Sequence, residues 1–158
     1  VSQDKIDSIV IHTESFVRGF FGEYRWLSNY HTCDIVYEGE IYNSTEAAYH
    51  SAKTDDLYIK GLIRSMGPKE SRDYSRKIRV KKDWESIKKK VMYDVLKDKF
   101  TRHEDLKKKL LETGSKYLEE TNYWNDTYYG VYMGKGKNVL GHLLMQIREE
   151  LKEKLSKS

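Results

Sequence analysis

One cysteine, one proline and no apolar run near the length of a membrane span bound this 158-residue chain before any motif is read. Cys33 alone excludes an internal disulfide and a cysteine-based zinc cluster. With no secretory signal pattern in its opening residues, the chain is expected in a reducing, cytoplasmic setting, away from membranes. His12, His31, His50, His103 and His142 are scattered without a ligand spacing, and no carboxylate pair lies beside any two of them, so no metal is expected. The G-x-S-x-G serine elbow and the dinucleotide glycine fingerprint are both missing, and no other cofactor is indicated. Internal repeats and low-complexity segments are absent too.

What remains is a highly charged, aromatic-rich chain. Charged residues make up 34% and hydrophobic ones 38%, which suits a single globular domain over residues 1–158 with a core at about 20–151. The net charge of +4 is mild; it fits a phosphate-bearing ligand without demanding nucleic acid. Lys81-Lys82 and Lys88-Lys89-Lys90 read as the solvated face of an amphipathic helix. The thirteen tyrosines and three tryptophans cluster, notably at Tyr24, Trp26 and Tyr30 and from Tyr123 to Tyr132. Most suit the edge of a core, and some are free to stack on a flat ligand.

Periodicity predicts a helix-rich α+β fold, with short N-terminal strands and a hairpin packed with several helices. Ser8 to Thr13 reads as a strand. Alternation around Glu38-Gly39 reads as a hairpin. Ser44 or Thr45 then caps a helix on which Glu46, Tyr49, His50 and Lys53 share one face, opposite the small residues Ala47, Ala48, Ser51 and Ala52. Asp56 to Met66 predicts a helix with Leu57, Leu62, Ile63 and Met66 on its apolar side, and Pro68 starts the next. Asp83, as a cap, opens a helix to Phe100 with a broad apolar stripe. A further helix runs from His103 to Thr113 and ends at Gly114, and Lys116 to Thr121 reads as a strand. After a loop-like tract, Asn138 caps a last amphipathic helix.

Two places invite a chemical reading on their own residues. Glu46 falls in a first helical turn, where a carboxylate is at home with or without a chemical role. Gly134-Lys135-Gly136-Lys137-Asn138 lacks Walker spacing, yet glycines feeding a helix N-terminus can offer N–H groups to a phosphate. Both readings stay open there.

Four blocks, in order, resemble the NADAR, or YbiA-like, family: Trp26-Leu27-Ser28-Asn29-Tyr30; Tyr42-Asn43-Ser44-Thr45-Glu46 through Lys53; Ser75-Arg76-Lys77 followed by Lys82-Asp83-Trp84-Glu85; and Asn122 to Asp126 leading into Gly136 to Gly141. The resemblance runs from about Phe20 to Leu151. It implies hydrolysis of a bond between ribose C1′ and nitrogen, in ADP-ribose attached to guanine bases of nucleotides or nucleic acid, or in phosphorylated intermediates of riboflavin synthesis. A module that only binds ADP-ribose or a nucleotide is the rival reading. Carried over residue by residue, the family's important positions are Glu46, Trp84 and Asp126, with Asn29, Lys53, Arg76 and Asn138 lining the pocket. Ser28, Tyr49, Lys77, Trp124, Tyr129 and Lys137 complete the expected substrate-binding set. Ser75 stands where glycine is frequent in the family and Tyr129 where tryptophan is frequent, which bears on substrate choice.

The chemistry suits those residue types. Breaking a ribosyl C–N bond builds positive charge on C1′ and the ring oxygen, which a fixed carboxylate stabilises. A second carboxylate can hold or deprotonate water, so Glu46 and Asp126 are the expected pair. Lys53 is either an ion-pair partner for a phosphate or carboxylate, or an amine that attacks C1′ and forms a Schiff base. Trp84 is either core or a stacking wall for the base.

Overall fold

Residues 2–157 are described by a computed structural model, and they fall into two compact units: residues 2–28 with 105–157, and residues 29–104. The second begins with the expected hairpin. Strands β3 (Ile35–Tyr37) and β4 (Glu40–Tyr42) pair antiparallel, Ile35 opposite Tyr42. Glu38 and Gly39 both take positive φ, 49° and 81°, the backbone that a two-residue hairpin turn requires. Asp98 accepts the Val36 N–H at 2.8 Å, and His103 Nε2 donates to the Asp34 carbonyl at 2.7 Å, so the hairpin is fastened to a long helix.

That helix is α5 (Trp84–Arg102), which buries Trp84, Val91, Met92, Val95, Leu96 and Phe100. Asp83 does not cap it through its side chain, contrary to the sequence expectation; instead its carbonyl accepts from Ser86 and Ile87 N–H. Helix α2 (Thr45–Ser51) packs against α5 and α4 (Pro68–Ser75), with α3 (Leu57–Ile63) between them in sequence. On α3 the expected apolar side is corrected: Asp56 caps the helix and Ile63 is buried, but Leu57 is 81% exposed. Its place in the first turn points away from the packed side.

In the first unit, β1 (Ile11–His12), β2 (Phe16–Arg18) and β5 (Tyr117–Glu119) form one sheet, antiparallel then parallel. The Ser8–Thr13 strand is therefore shorter than expected, because helix α1 (Gln3–Ile9) takes its first residues. Ser2 Oγ accepts the Asp4 N–H and starts that helix, which buries none of its residues and so left no apolar period to read. A 3₁₀ helix spans Gly22–Leu27; α6 (Glu104–Glu112) ends near Gly114, at φ +63°. The loop-like tract contains two short strands, β6 (Thr121–Asn122) and β7 (Val131–Tyr132), which pair parallel. Helix α7 (Val139–Ser156) buries Leu140, Leu143, Leu144, Ile147 and Leu151 and packs on β5. Among the described residues no helix is long and apolar enough to cross a membrane.

Candidate active site

The start of α2 is fixed from three sides. Ser44 Oγ, rather than Thr45, accepts a helix N–H, that of Ala47 at 3.0 Å. Thr45 Oγ1 instead donates to Asn29 Oδ1 at 2.7 Å, and the Asn29 carbonyl accepts the Glu46 N–H at 3.3 Å. Asn29 is buried, with Nδ2 3.5 Å from Met92 Sδ. Its side chain therefore holds the helix that carries Glu46.

Both faces of α2 are enclosed. The small face, Ala47, Ala48, Ser51 and Ala52, is buried as its residue sizes require. On the other face Tyr49 and His50 are buried as well, and the Glu46 side chain is only 13% exposed. Glu46 Oε2 lies 2.8 Å from His50 Nε2, one helical turn on. Oε1 takes part in no hydrogen bond among the described residues, so one carboxylate oxygen is anchored and the other is left over.

Lys53 follows on the same face. Its ammonium donates to Ser75 Oγ at 3.4 Å and lies 5.9 Å from the ring centres of both Tyr49 and Trp84. Those rings meet edge to face, 5.1 Å apart at 64°. The Lys81 N–H donates to the Lys53 carbonyl and the Lys81 carbonyl accepts from Trp84, which ties the start of α5 to the end of α2. Burial lowers the Lys53 pKa; the Glu46 charge opposes that shift and Arg76 adds to it. Tyr30 is pushed up to about 12, first by burial and then by the Glu46 carboxylate, with Arg72 and Arg76 pulling the other way. Arg72 sits over the Tyr30 ring at 5.7 Å. A carboxylate, an amine of lowered pKa, an aromatic wall and two arginines thus share one region of this unit.

In the first unit the expected residues gather on and beside one loop. Asp126 Oδ1 accepts the N–H groups of Tyr128 and Tyr129 at 3.0 and 2.9 Å, closing a tight turn. Asn122 braces that turn: its Oδ1 accepts the Asp126 N–H and its Nδ2 donates to the Asp126 carbonyl. Asp126 Oδ2 has no hydrogen bond among the described residues. Trp124 is 43% exposed and meets Phe21 and Tyr123 edge-on, while Tyr129 packs edge-on against Tyr128. Lys137 is exposed with its ammonium 5.8 Å from the Tyr128 ring, and Ser28 ends the 3₁₀ helix, donating its N–H to the Arg25 carbonyl.

The phosphate cradle expected at Gly134 to Asn138 is corrected. The N–H groups of Lys137, Asn138, Val139 and Leu140 donate to the carbonyls of Thr127, Gly130, Tyr128 and Tyr129, so the start of α7 is already sealed by its own loop. Asn138 does not cap α7 with its side chain either. It takes a left-handed backbone, φ 50°, and its amide accepts the Glu120 N–H and donates to the Leu118 carbonyl and the Tyr117 hydroxyl. With Nδ2 used on β5, Oδ1 on the residue that follows it, and 2% exposure, Asn138 is a strand clamp.

Glu46, Tyr49, Lys53, Arg76 and Trp84 are therefore brought together within one unit, with Asn29 behind Glu46 and Lys77 exposed at the end of α4. The sequence puts His50 on the shared face with Glu46 but assigns it no role, although the i, i+4 spacing allows their contact. Tyr30 is read only within the first family block, and Arg72 gives no local signal, because only packing brings it over the Tyr30 ring.

The NADAR domain model matches residues 16–152, a stretch that runs through both units. The chain is 37% identical over 136 residues to the N-glycosidase YbiA of Escherichia coli strain K12, covering 82% of each chain. It is 32% identical over 134 residues to a riboflavin biosynthesis protein of Vibrio vulnificus strain YJ016, covering 81% of this chain and 36% of that one. The NMR structure of E. coli YbiA superposes with a TM-score of 0.82 at 29% identity, covering 98% of this chain and 95% of the other.

Proposed function

The chain belongs to the NADAR domain family, and on that membership we propose that it is an N-glycosidase that hydrolyses the bond between a ribose C1′ and a base nitrogen. The observation that carries this reading is the Glu46 carboxylate, anchored by one oxygen with the other unused, beside Lys53 and the Tyr49–Trp84 wall. As the C1′–N bond breaks, positive charge grows on the sugar, and a carboxylate already fixed and largely withdrawn from water stabilises it without reorganising. A water oxygen bonds to C1′, one of its protons leaves to a base, and the departing nitrogen takes up a proton, so the reaction yields free ribosyl product and free base. The aromatic edges suit a flat leaving group, and Lys53, Arg72 and Arg76 suit the phosphates of the sugar part.

The substrate we propose is ADP-ribose joined to guanine, in a nucleotide or in nucleic acid. A phosphorylated intermediate of riboflavin synthesis is the second reading, favoured by the name of the Vibrio relative. Two routes serve either substrate. In one, water attacks directly. In the other, the amine of Lys53, its pKa lowered by burial, bonds to C1′ as the C1′–N bond breaks and the base leaves with a proton; the C1′–O4′ bond then opens to a Schiff base, which water hydrolyses to free sugar and free Lys53. Asp126 enters the proposal as a further catalytic carboxylate, acting through Oδ2.

The deciding experiment incubates the protein with ADP-ribosylated guanine nucleotide or oligonucleotide and, in parallel, with the riboflavin intermediate. Free ADP-ribose or free ribose phosphate is then followed by chromatography. Release in the first arm supports the main reading and release only in the second transfers the activity. Tight binding with no release in either arm leaves a binding module and sinks the enzymatic reading. Borohydride added during turnover separates the routes, since a ribosyl-sized adduct on the Lys53 peptide forms only through the Schiff base.

A further inference from the structure

His50 has no part in the activity as set out above, yet it is the group in closest polar contact with Glu46. The two lie four residues apart on α2, their side chains 7% and 13% exposed, with Nε2 and Oε2 at 2.8 Å. The other ring nitrogen, Nδ1, is buried and has no hydrogen-bond partner among the described residues. Three proton arrangements fit the 2.8 Å contact. In the first, Nε2–H donates to an ionised carboxylate and Nδ1 keeps a bare lone pair. In the second, both ring nitrogens carry protons beside that carboxylate. In the third, a protonated carboxyl donates to Nε2 and the ring proton sits on Nδ1. The second and third put an N–H on Nδ1, where no described residue accepts it, and a buried unpaired donor is costlier and rarer than a buried unpaired lone pair. The first leaves Glu46 charged.

We propose that His50 is the positioning residue of the reaction, donating from Nε2 to Oε2 so that Glu46 stays ionised and turns Oε1 toward the ribosyl carbon. This rests on the glycosidase reading of Glu46 and deepens it. Two titratable groups feel the Glu46 charge, Lys53 just beyond α2 and Tyr30 before the hairpin; Arg72 and Asp73 on α4 and Arg76 at its end act in turn on Tyr30, and Arg76, Glu85 and Lys88 on Lys53. His50 acts through Glu46 alone and touches no substrate atom.

The test compares His50→Leu, which fills the space without a donor, with His50→Gln, which restores an N–H at similar reach. Leucine should lower kcat roughly ten- to a hundredfold, the loss typical of removing a partner that orients a reactive group, with KM little changed. Glutamine should regain most of that loss. A kcat within a few-fold of the parent for leucine, or no recovery with glutamine, overturns the proposal. Should leucine prevent folding, the glutamine variant and a measurement on the parent decide. In a ¹⁵N spectrum of the histidine-labelled protein, His50 Nε2 should carry a proton at about pH 7, while a bare Nε2 overturns the proposal. If the parent turns over neither substrate, the glycosidase reading fails first, and the nitrogen spectrum still shows whether the hydrogen bond runs as stated.

Discussion

Glu46 and Asp126 are each held by one carboxylate oxygen, and the two holders differ in kind. On α2 the holder is a side chain, His50, inside a packed helical face. On the loop ahead of α7 the holders are backbone N–H groups of Tyr128 and Tyr129, two and three residues along the same turn. The helix starts differ in the same way. At α2 the N–H groups of Glu46 and Ala47 go to Asn29 and Ser44, whereas at α7 the first N–H groups go to carbonyls of the preceding loop. A carboxylate held by a neighbouring side chain can have its charge tuned by that neighbour. One held by its own turn is built into the loop, and what it adds chemically must come from the oxygen left over.

The contrast breaks most sharply at Glu46. Glu46→Gln keeps the shape and the helix start but removes the charge, so turnover should fall by about 10²–10³, as when a single electrostatic stabiliser is removed. Chromatography of released product measures the loss, and the melting temperature should hold within a few degrees. Near-normal turnover would make this carboxylate structural. Asp126→Asn sharpens the other side. Asparagine retains Oδ1 and both turn bonds, so the melting temperature should barely move, while loss of the charged Oδ2 should lower the rate by about 10² if it moves a proton. Activity within a few-fold of the parent would leave Asp126 with its turn alone.

Smaller effects fall on stability. Gly141 begins α7 with its Cα so close to β5 that an added Cβ would stand 2.1 Å from the Leu118 carbonyl oxygen and 2.4 Å from the clamped amide of Asn138. Gly141→Ala should cost about 1–3 kcal/mol in denaturant unfolding, the usual cost of overpacking. Gly61 on α3 has open space at the same point, so Gly61→Ala should stabilise by about 0.4–1 kcal/mol. Equal effects at the two glycines would contradict the close seat of α7. The smallest effect is alkaline. Tyr30 ionises near 10 in the unfolded chain and about 12 when folded, so above pH 10 the unfolded state binds fewer protons and stability falls until about 12. Tyr30→Phe should make that fall shallower, measured by melting temperature against pH. Tyr37, also raised to about 12, keeps part of it.

Where a signal was local, the sequence was legible. Glu38-Gly39 specified its turn, Ser44 its cap, Pro68 its helix start, and the stripe from Trp84 to Phe100 its buried face. The spacing of Glu46, Tyr49, His50 and Lys53 puts four residues on one helical face. The failures share a cause. Leu57 looked apolar and inward, and Asn138 looked like a cap facing a phosphate cradle. Each reading assumed that a residue's local options are the ones it takes. Whether an N–H is free for a ligand depends on which distant carbonyl arrives first, and at α7 the carbonyls of Thr127, Tyr128, Tyr129 and Gly130 arrive.

Period, cap chemistry and turn residues act over a few positions along the chain, so the amino-acid order alone was enough for the α+β elements, the face of α2 and the ordered blocks shared with the NADAR family. Partnership acts through space. Packing alone gave Asn29 to Thr45, Asn138 to β5, Tyr30 to the neighbourhood of Glu46, and Arg72 to the Tyr30 ring. It also buried the polar face of α2, leaving His50 Nδ1 unpaired and one oxygen of Glu46 unused. A hydrogen-bonding group has several possible partners in an extended chain, and only the fold, by excluding water and fixing distances, reduces them to one.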